Sequence, residues 1–151
     1  MSNQGLRRIE IQELLFRFMT SFDDKDWDAM RECLAESIHC EYSSFRGTVP
    51  GAIARDDYIG QRAIPLASLK TQHNLSNVSI NGSEMYAEAR CNYAILRFAA
   101  DFDGTREKFF HSYGQYQFGV VKTHNQWRII SIRQSLLVSD GNPDLHAGAR
   151  K

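Results

Sequence analysis

Ser79-Ile80-Asn81-Gly82-Ser83-Glu84-Met85-Tyr86-Ala87-Glu88-Ala89-Arg90-Cys91-Asn92-Tyr93-Ala94-Ile95 carries the clearest structural signal in this chain. Asn81-Gly82 between two alternating runs is a hairpin signal, because both residues tolerate the positive φ that a tight antiparallel turn demands. After it, Met85, Ala87, Ala89, Cys91, Tyr93 and Ile95 share one face of a strand, while Glu88, Arg90 and Asn92 share the other. One face packs and the other meets water. Two further alternating runs follow, so the second half reads as four long strands, at about 71–80, 85–98, 108–121 and 127–138, with turns at Asp103-Gly104 and His124-Asn125. In the third run Phe110, Ser112, Gly114, Tyr116 and Phe118 oppose Phe109, His111, Tyr113, Gln115 and Gln117. Long aromatic strands interrupted by a glycine such as Gly114 suit a strongly curved sheet, where the missing side chain permits bending or close approach.

Upstream, the period changes. Ile11, Leu14, Leu15, Phe18, Met19 and Phe22 recur at the three-and-four spacing of an amphipathic helix. At about 100° per residue, Asp23 falls roughly 40° beyond Met19 on the flank of that stripe, and Asp24 points nearly the opposite way. Asp23 is thus the acid expected inside, although both acids also suit a solvent-exposed turn. Asp26 is placed as the N-cap of a short helix carrying Trp27, Met30 and Leu34. A strand is expected over 38–45 before the turn Arg46-Gly47, then a loop with Pro50 and Gly51, then a helix over about 54–69 with Asp56 and Asp57 in its first turn and Pro65 near its end. The segment from Ser139 onward reads as a loose polar tail. Helices first and strands afterwards predict a single α+β domain over residues 1–151, a curved, mostly antiparallel or mixed sheet covered by helices around an apolar cavity.

With 151 residues the chain can bury a full core without staples. Its 18 basic and 18 acidic residues balance, leaving no electrostatic footprint for nucleic acid or an anionic membrane. Cys33, Cys40 and Cys91 lack paired spacing and read as reduced, buried residues of a cytoplasmic protein, and no secretory leader or spanning segment is expected. No grouping of ligands predicts a metal, and no phosphate loop predicts a nucleotide. His39, His111, His124 and His146 are assigned to structure or solvent. The exposed face of the long strands predicts a homo-oligomer, a dimer or trimer.

The remaining histidine stands in Thr71-Gln72-His73-Asn74-Leu75-Ser76-Asn77. If the fold brings His73 to Asp23, the carboxylate would set the ring tautomer and stabilise the imidazolium, which makes a general acid/base pair. The order of elements, with Phe22-Asp23-Asp24-Lys25-Asp26-Trp27-Asp28, Tyr42, Thr71-Gln72-His73 and Gln126-Trp127-Arg128-Ile129, resembles the SnoaL-like branch of the nuclear transport factor 2-like superfamily, and within it the scytalone dehydratases. The resemblance implies an α+β cone, no cofactor, catalytic roles for Asp23 and His73, and Tyr42 as a group polarising a substrate carbonyl through water. The hexachlorocyclohexane dehydrochlorinases of the same superfamily place an aspartate/histidine pair similarly. The chain departs from the dehydratase pattern at Phe22, where a second tyrosine would stand, and at Gly114 and Tyr116, where serine and asparagine would. The expected substrate contacts are therefore Phe22, Asn92, Tyr93, Gly114 and Tyr116. The expected activity is that of a lyase or isomerase acting on a small apolar cyclic or polyketide-like compound. Its alternative is a non-catalytic binding or oligomerisation domain of the same fold.

Overall fold

The computed structural model describes residues 1–42 and 48–146. The chain runs α1 (Asn3–Asp24), α2 (Trp27–Cys33), β1 (Leu34–Glu41), β2 (Gly51–Ala54), α3 (Arg55–Leu66), β3 (Leu69–Gly82), β4 (Tyr86–Ala99), a 3-10 turn (Arg106–Lys108), β5 (Phe109–Thr123), β6 (Gln126–Gly141) and a last 3-10 turn (Pro143–Leu145). Six strands make one open mixed sheet in the order β2-β1-β6-β5-β4-β3. β3 to β6 form the antiparallel meander, and β1 joins β6 in parallel.

The first two helices begin at side-chain caps, whereas α3 starts after Ala54 without one. The Ser2 side chain accepts the Gly5 N–H at the start of α1, and Lys25, in the left-handed region at φ 53°, closes it by donating its backbone N–H to the Phe22 carbonyl. Asp26 then accepts the Ala29 N–H and starts α2. α1 buries Ile11, Leu14, Leu15, Phe18, Met19 and Phe22 against the sheet. Phe18 sits at the centre, edge-on to Phe22 at 5.2 Å and to Phe118 of β5 at 6.2 Å. The inward face of β4 is Ala87, Ala89, Cys91, Tyr93, Ile95 and Arg97, and that of β5 includes Phe110, Ser112, Tyr116 and Phe118.

Bends in the sheet have identifiable causes. The β3/β4 register slips between Ser76 and Ser79, with Asn77 at φ 55°, and β5/β6 slips at Tyr113/Gly114 and Gly119/Val120. At Gly114 a side chain is excluded: a Cβ would lie 2.0 Å from the Ser135 carbonyl and 2.9 Å from the Tyr93 ring. The β5/β6 hairpin turns through His124 and Asn125, both at positive φ.

The structure departs from the sequence reading in several places: α3 stops at Leu66, and Met85, expected on the packed face, precedes β4 and is exposed. β3 runs through Asn81-Gly82, and the turn forms at Ser83, whose N–H and hydroxyl both bond the Tyr86 carbonyl. β2 occupies residues read as loop, because β1 offers it an open edge. β6 continues through Ser139 to Gly141 by pairing with Phe110, His111 and Ser112, and the last 3-10 turn brings His146 into the interior, where a tail was expected. β1 starts earlier, at Leu34, while Ser43, Ser44, Phe45 and the Arg46-Gly47 turn, like residues 147–151, lie outside the described residues.

Candidate active site

The C-terminal end of α1 is sewn to the start of β3. Lys25 Nζ donates to the Leu69 carbonyl at 2.8 Å, Thr71 Oγ1 donates to Asp23 Oδ1 at 3.0 Å, and the His73 backbone N–H donates to Asp23 Oδ2 at 2.9 Å. Residues 69, 71 and 73 alternate along the edge strand, so a single turn of helix reaches all three. The same carboxylate meets the His73 ring, with Nδ1 2.6 Å from Oδ1. An ionised carboxylate only accepts, so Nδ1 carries the proton and Nε2 keeps its lone pair.

The His73 side chain is 5 % exposed and Asp23 21 %. Asp24, on the other side of the helix, is exposed. Burial pulls the His73 pKa below its ordinary value of 6.5; the bond to Asp23 opposes that shift and the charge of Arg97 adds to it. The imidazole is therefore neutral near pH 7. Phe22 lies over it in a stack, centroids 4.6 Å apart and planes 20° from parallel. A tyrosine at that position would bring a hydroxyl, whereas Phe22 offers only its ring.

His73 opens on a cavity whose apolar wall is Phe22, Pro65, Leu66, Leu69, Ile95 and Leu145, and whose polar groups come from Tyr42, Tyr58, Gln61, Arg62, Arg97, Tyr116, Gln134 and His146. The free volume at its centre is about 30 Å³. By the ~10–15 Å³ that one enclosed water requires, that is room for two or so.

The Tyr42 and Tyr58 hydroxyls are 3.1 Å apart. Burial, first, and the neighbouring phenol, second, push the Tyr42 pKa well up, so it stays a protonated donor. The Arg62 guanidinium lies 3.7 Å from the Tyr58 ring centroid and 5.2 Å from that of Tyr42.

Of the residues expected from sequence, Asp23, His73, Tyr42, Phe22 and Tyr116 meet at this site, with Asp23 reaching it through His73. Tyr93 packs behind Tyr116, centroids 4.8 Å apart, in space that Gly114 leaves. Asn92 is exposed on the opposite face of β4, so it lies outside the cavity. Asn92, Tyr93 and Gly114 border a separate recess with Ser135 and Leu137.

Sequence reasoning missed Tyr58, Arg62, Arg97, Gln134 and His146. Two signals were available. Arg97 follows Tyr93 and Ile95 on the packed face of β4, and Arg62 falls one turn after Tyr58 on the buried stripe of α3. A charge on a packed face marks an interior that is not purely apolar. His146 gives no such signal, because only the docked last turn buries it.

The model of the SnoaL-like domain matches residues 6–133. The chain belongs to the SnoaL-like domain family. Among fungal relatives, the scytalone dehydratase-like protein claB of Passalora fulva is 35 % identical over 69 residues, 43 % of either chain. The scytalone dehydratase-like protein AacuK of Aspergillus aculeatus is 21 % identical over 141 residues, 88 % of this chain and 80 % of that one. Matched segments span less than half the length of the first curated relatives. The Kfla4162 protein of Kribbella flavida has the same fold, with a TM-score of 0.86 at 19 % identity over 97 % of this SnoaL-like chain and 99 % of its own.

Proposed function

We propose that this SnoaL-like protein is a cofactor-independent lyase of the dehydratase type, acting on a small cyclic β-hydroxy ketone through Asp23 and His73. The observation that carries the reading is the 2.6 Å Nδ1 to carboxylate contact on a neutral, buried imidazole that faces a cavity. Its namesake relatives among the scytalone dehydratase-like proteins support the reaction class.

His73 Nε2 removes the proton on the carbon next to the substrate carbonyl, and the bond electrons move onto the carbonyl oxygen. Asp23 stabilises the imidazolium that forms, and its two further donors, Thr71 Oγ1 and the His73 N–H, stop it from turning away. The Tyr42/Tyr58 pair donates to the enolate oxygen, taking the place of the hydroxyl that Phe22 lacks. As the enolate collapses, the β-hydroxyl leaves and takes the proton held by His73, so one water departs and the imidazole returns to its neutral form. A substrate of this size requires the cavity walls to move apart, since the closed volume holds only water-sized groups.

The test is dehydration of 3-hydroxy-1-tetralone, whose elimination product tautomerises to fluorescent 1-naphthol. Wild-type protein turns it over, and Asp23→Asn and His73→Ala each lose on the order of 10²–10⁴-fold in kcat/KM. Full turnover in either variant contradicts the mechanism. The narrowness of the cavity favours one second reading, a non-catalytic binding domain. That reading predicts stabilisation of the fold by small cyclic ketones, undiminished in both variants, without product.

A further inference from the structure

The walls of the cavity are electrically one-sided. Two guanidinium groups face it, Arg62 from α3 and Arg97 from β4, at 5 % and 2 % exposure, and no Asp or Glu side chain lines it among the described residues. Asp23, the acid behind His73, already accepts three hydrogen bonds from β3. Arg97 donates to Ser112 Oγ at 3.0 Å and lies over the Phe110 ring. Arg62 donates from Nη1 to the Tyr58 carbonyl and to Gln61 Oε1, and its charge rests against the Tyr42 and Tyr58 rings.

Every one of those Arg62 partners is neutral. A buried guanidinium costs folding free energy unless an anion or a full set of hydrogen bonds compensates it, and cation–π contact with two phenols offsets only part of that cost. Neither group can escape by losing its proton, because a guanidinium stays charged throughout the physiological range. Arg62 thus sets a positive charge in the interior, walled by low-dielectric aromatic and aliphatic side chains that strengthen its pull on an anion. Its planar, forked donors match a carboxylate, and the apolar wall of Phe22, Leu66, Leu69 and Ile95 matches a hydrophobic body.

We infer that the cavity selects a cyclic or aromatic compound bearing a carboxylate, held by Arg62 with Arg97 as the second positive charge, so that the natural substrate is an organic acid rather than a neutral ketone. This rests on the reading of the cavity as a substrate site and narrows its substrate class. Arg62 is a specificity residue in this account: it holds the anionic group while His73 works on the carbon skeleton.

Benzoate and benzamide, equal in shape and different in charge, are the probes, with affinity measured by calorimetry on the full chain. Wild-type protein binds benzoate at least tenfold tighter than benzamide. Arg62→Gln lowers that ratio at least tenfold with benzamide affinity unchanged, and Arg62→Lys, which keeps the charge, retains part of the preference. Equal affinity of wild-type protein for the two probes overturns the inference and requires no variant. Parallel loss of both ligands in Arg62→Gln, with folding intact, also overturns it, because Arg62 would then only brace the two tyrosines. His73→Ala separates the inference from the mechanism. It abolishes dehydration and leaves the benzoate preference in place; dehydration lost alongside a wild-type ratio of one sinks the inference and spares the mechanism, whereas full turnover with the preference intact does the reverse.

Discussion

At the scale of single residues, the site depends on how one carboxylate is held. Asp23 serves as a tertiary anchor, through Thr71 and the His73 N–H, and as the partner of the His73 ring. Thr71→Val removes one of three bonds and keeps the others, so it should lower stability by about 1 kcal/mol and activity far less than Asp23→Asn does; denaturant melts and kcat/KM measured together check both. The pH profile follows from the sign of the His73 shift. Its folded pKa lies below 6.5, so the native state binds fewer protons than the unfolded chain just under that pH. Activity and this contribution to stability are both complete above about pH 6.5 and decline as pH falls through the lower folded value. A kcat/KM profile with its acid limb above 6.5 contradicts the assignment. Helix phase put Asp23 on the inner flank of α1 without separating it from a turn residue, and its meeting with His73 was not legible: the fifty intervening residues impose no local pattern, and only docking of α1 on β3 closes the gap.

At the scale of elements, alternation was read well where it met a packed face and poorly where topology decided. β4 follows the period-two pattern along its length and β5 as far as Phe118, after which Gly119 and Val120 are buried in succession at the β5/β6 register slip. β2 has four residues and owes its existence to the free edge of β1, and the parallel pairing of β1 with β6 links segments about ninety residues apart, beyond any local signal. Asn81-Gly82 marked the right hairpin and the wrong turn. Gly82 is required instead because the returning strand passes close: a Cβ there would lie 2.3 Å from the Tyr86 carbonyl. The glycine at 114 does similar work at the β5/β6 bulge. Gly114→Ala should therefore destabilise the fold by more than ~1–3 kcal/mol, the usual cost of overpacking, since it meets a backbone oxygen that cannot swing aside. Gly51→Ala, with open space around it, should change stability by less than about 0.5 kcal/mol. Thermal unfolding of the two variants side by side tests this, and equal melting temperatures would show that the sheet relaxes at the bulge.

Taking the molecule as a whole, one core serves both stability and site. Phe118 is fully buried, edge-on to Phe18 and 5.1 Å from Tyr116, which lines the cavity. Phe118→Ala should cost about 3–5 kcal/mol, a drop in Tm on the order of 10 °C for a chain this size, and it should loosen the Tyr116 wall. The α+β layering was legible because amphipathic helix and alternating strands are separated along the sequence. Arg62 and Arg97 were each legible as a charge on a packed face, but their convergence on one cavity was not, because α3 and β4 meet only in three dimensions. The central claim, that His73 is a base oriented by Asp23 and open to a ligand, can be isolated from any leaving group by following exchange of the α-protons of 1-tetralone in D₂O by proton NMR. The account predicts exchange faster than in buffer, at least ~10²-fold slower in His73→Ala and Asp23→Asn, and lost in acid below pH 6.5. Exchange at the buffer rate in the wild-type protein, or undiminished in both variants, would contradict it.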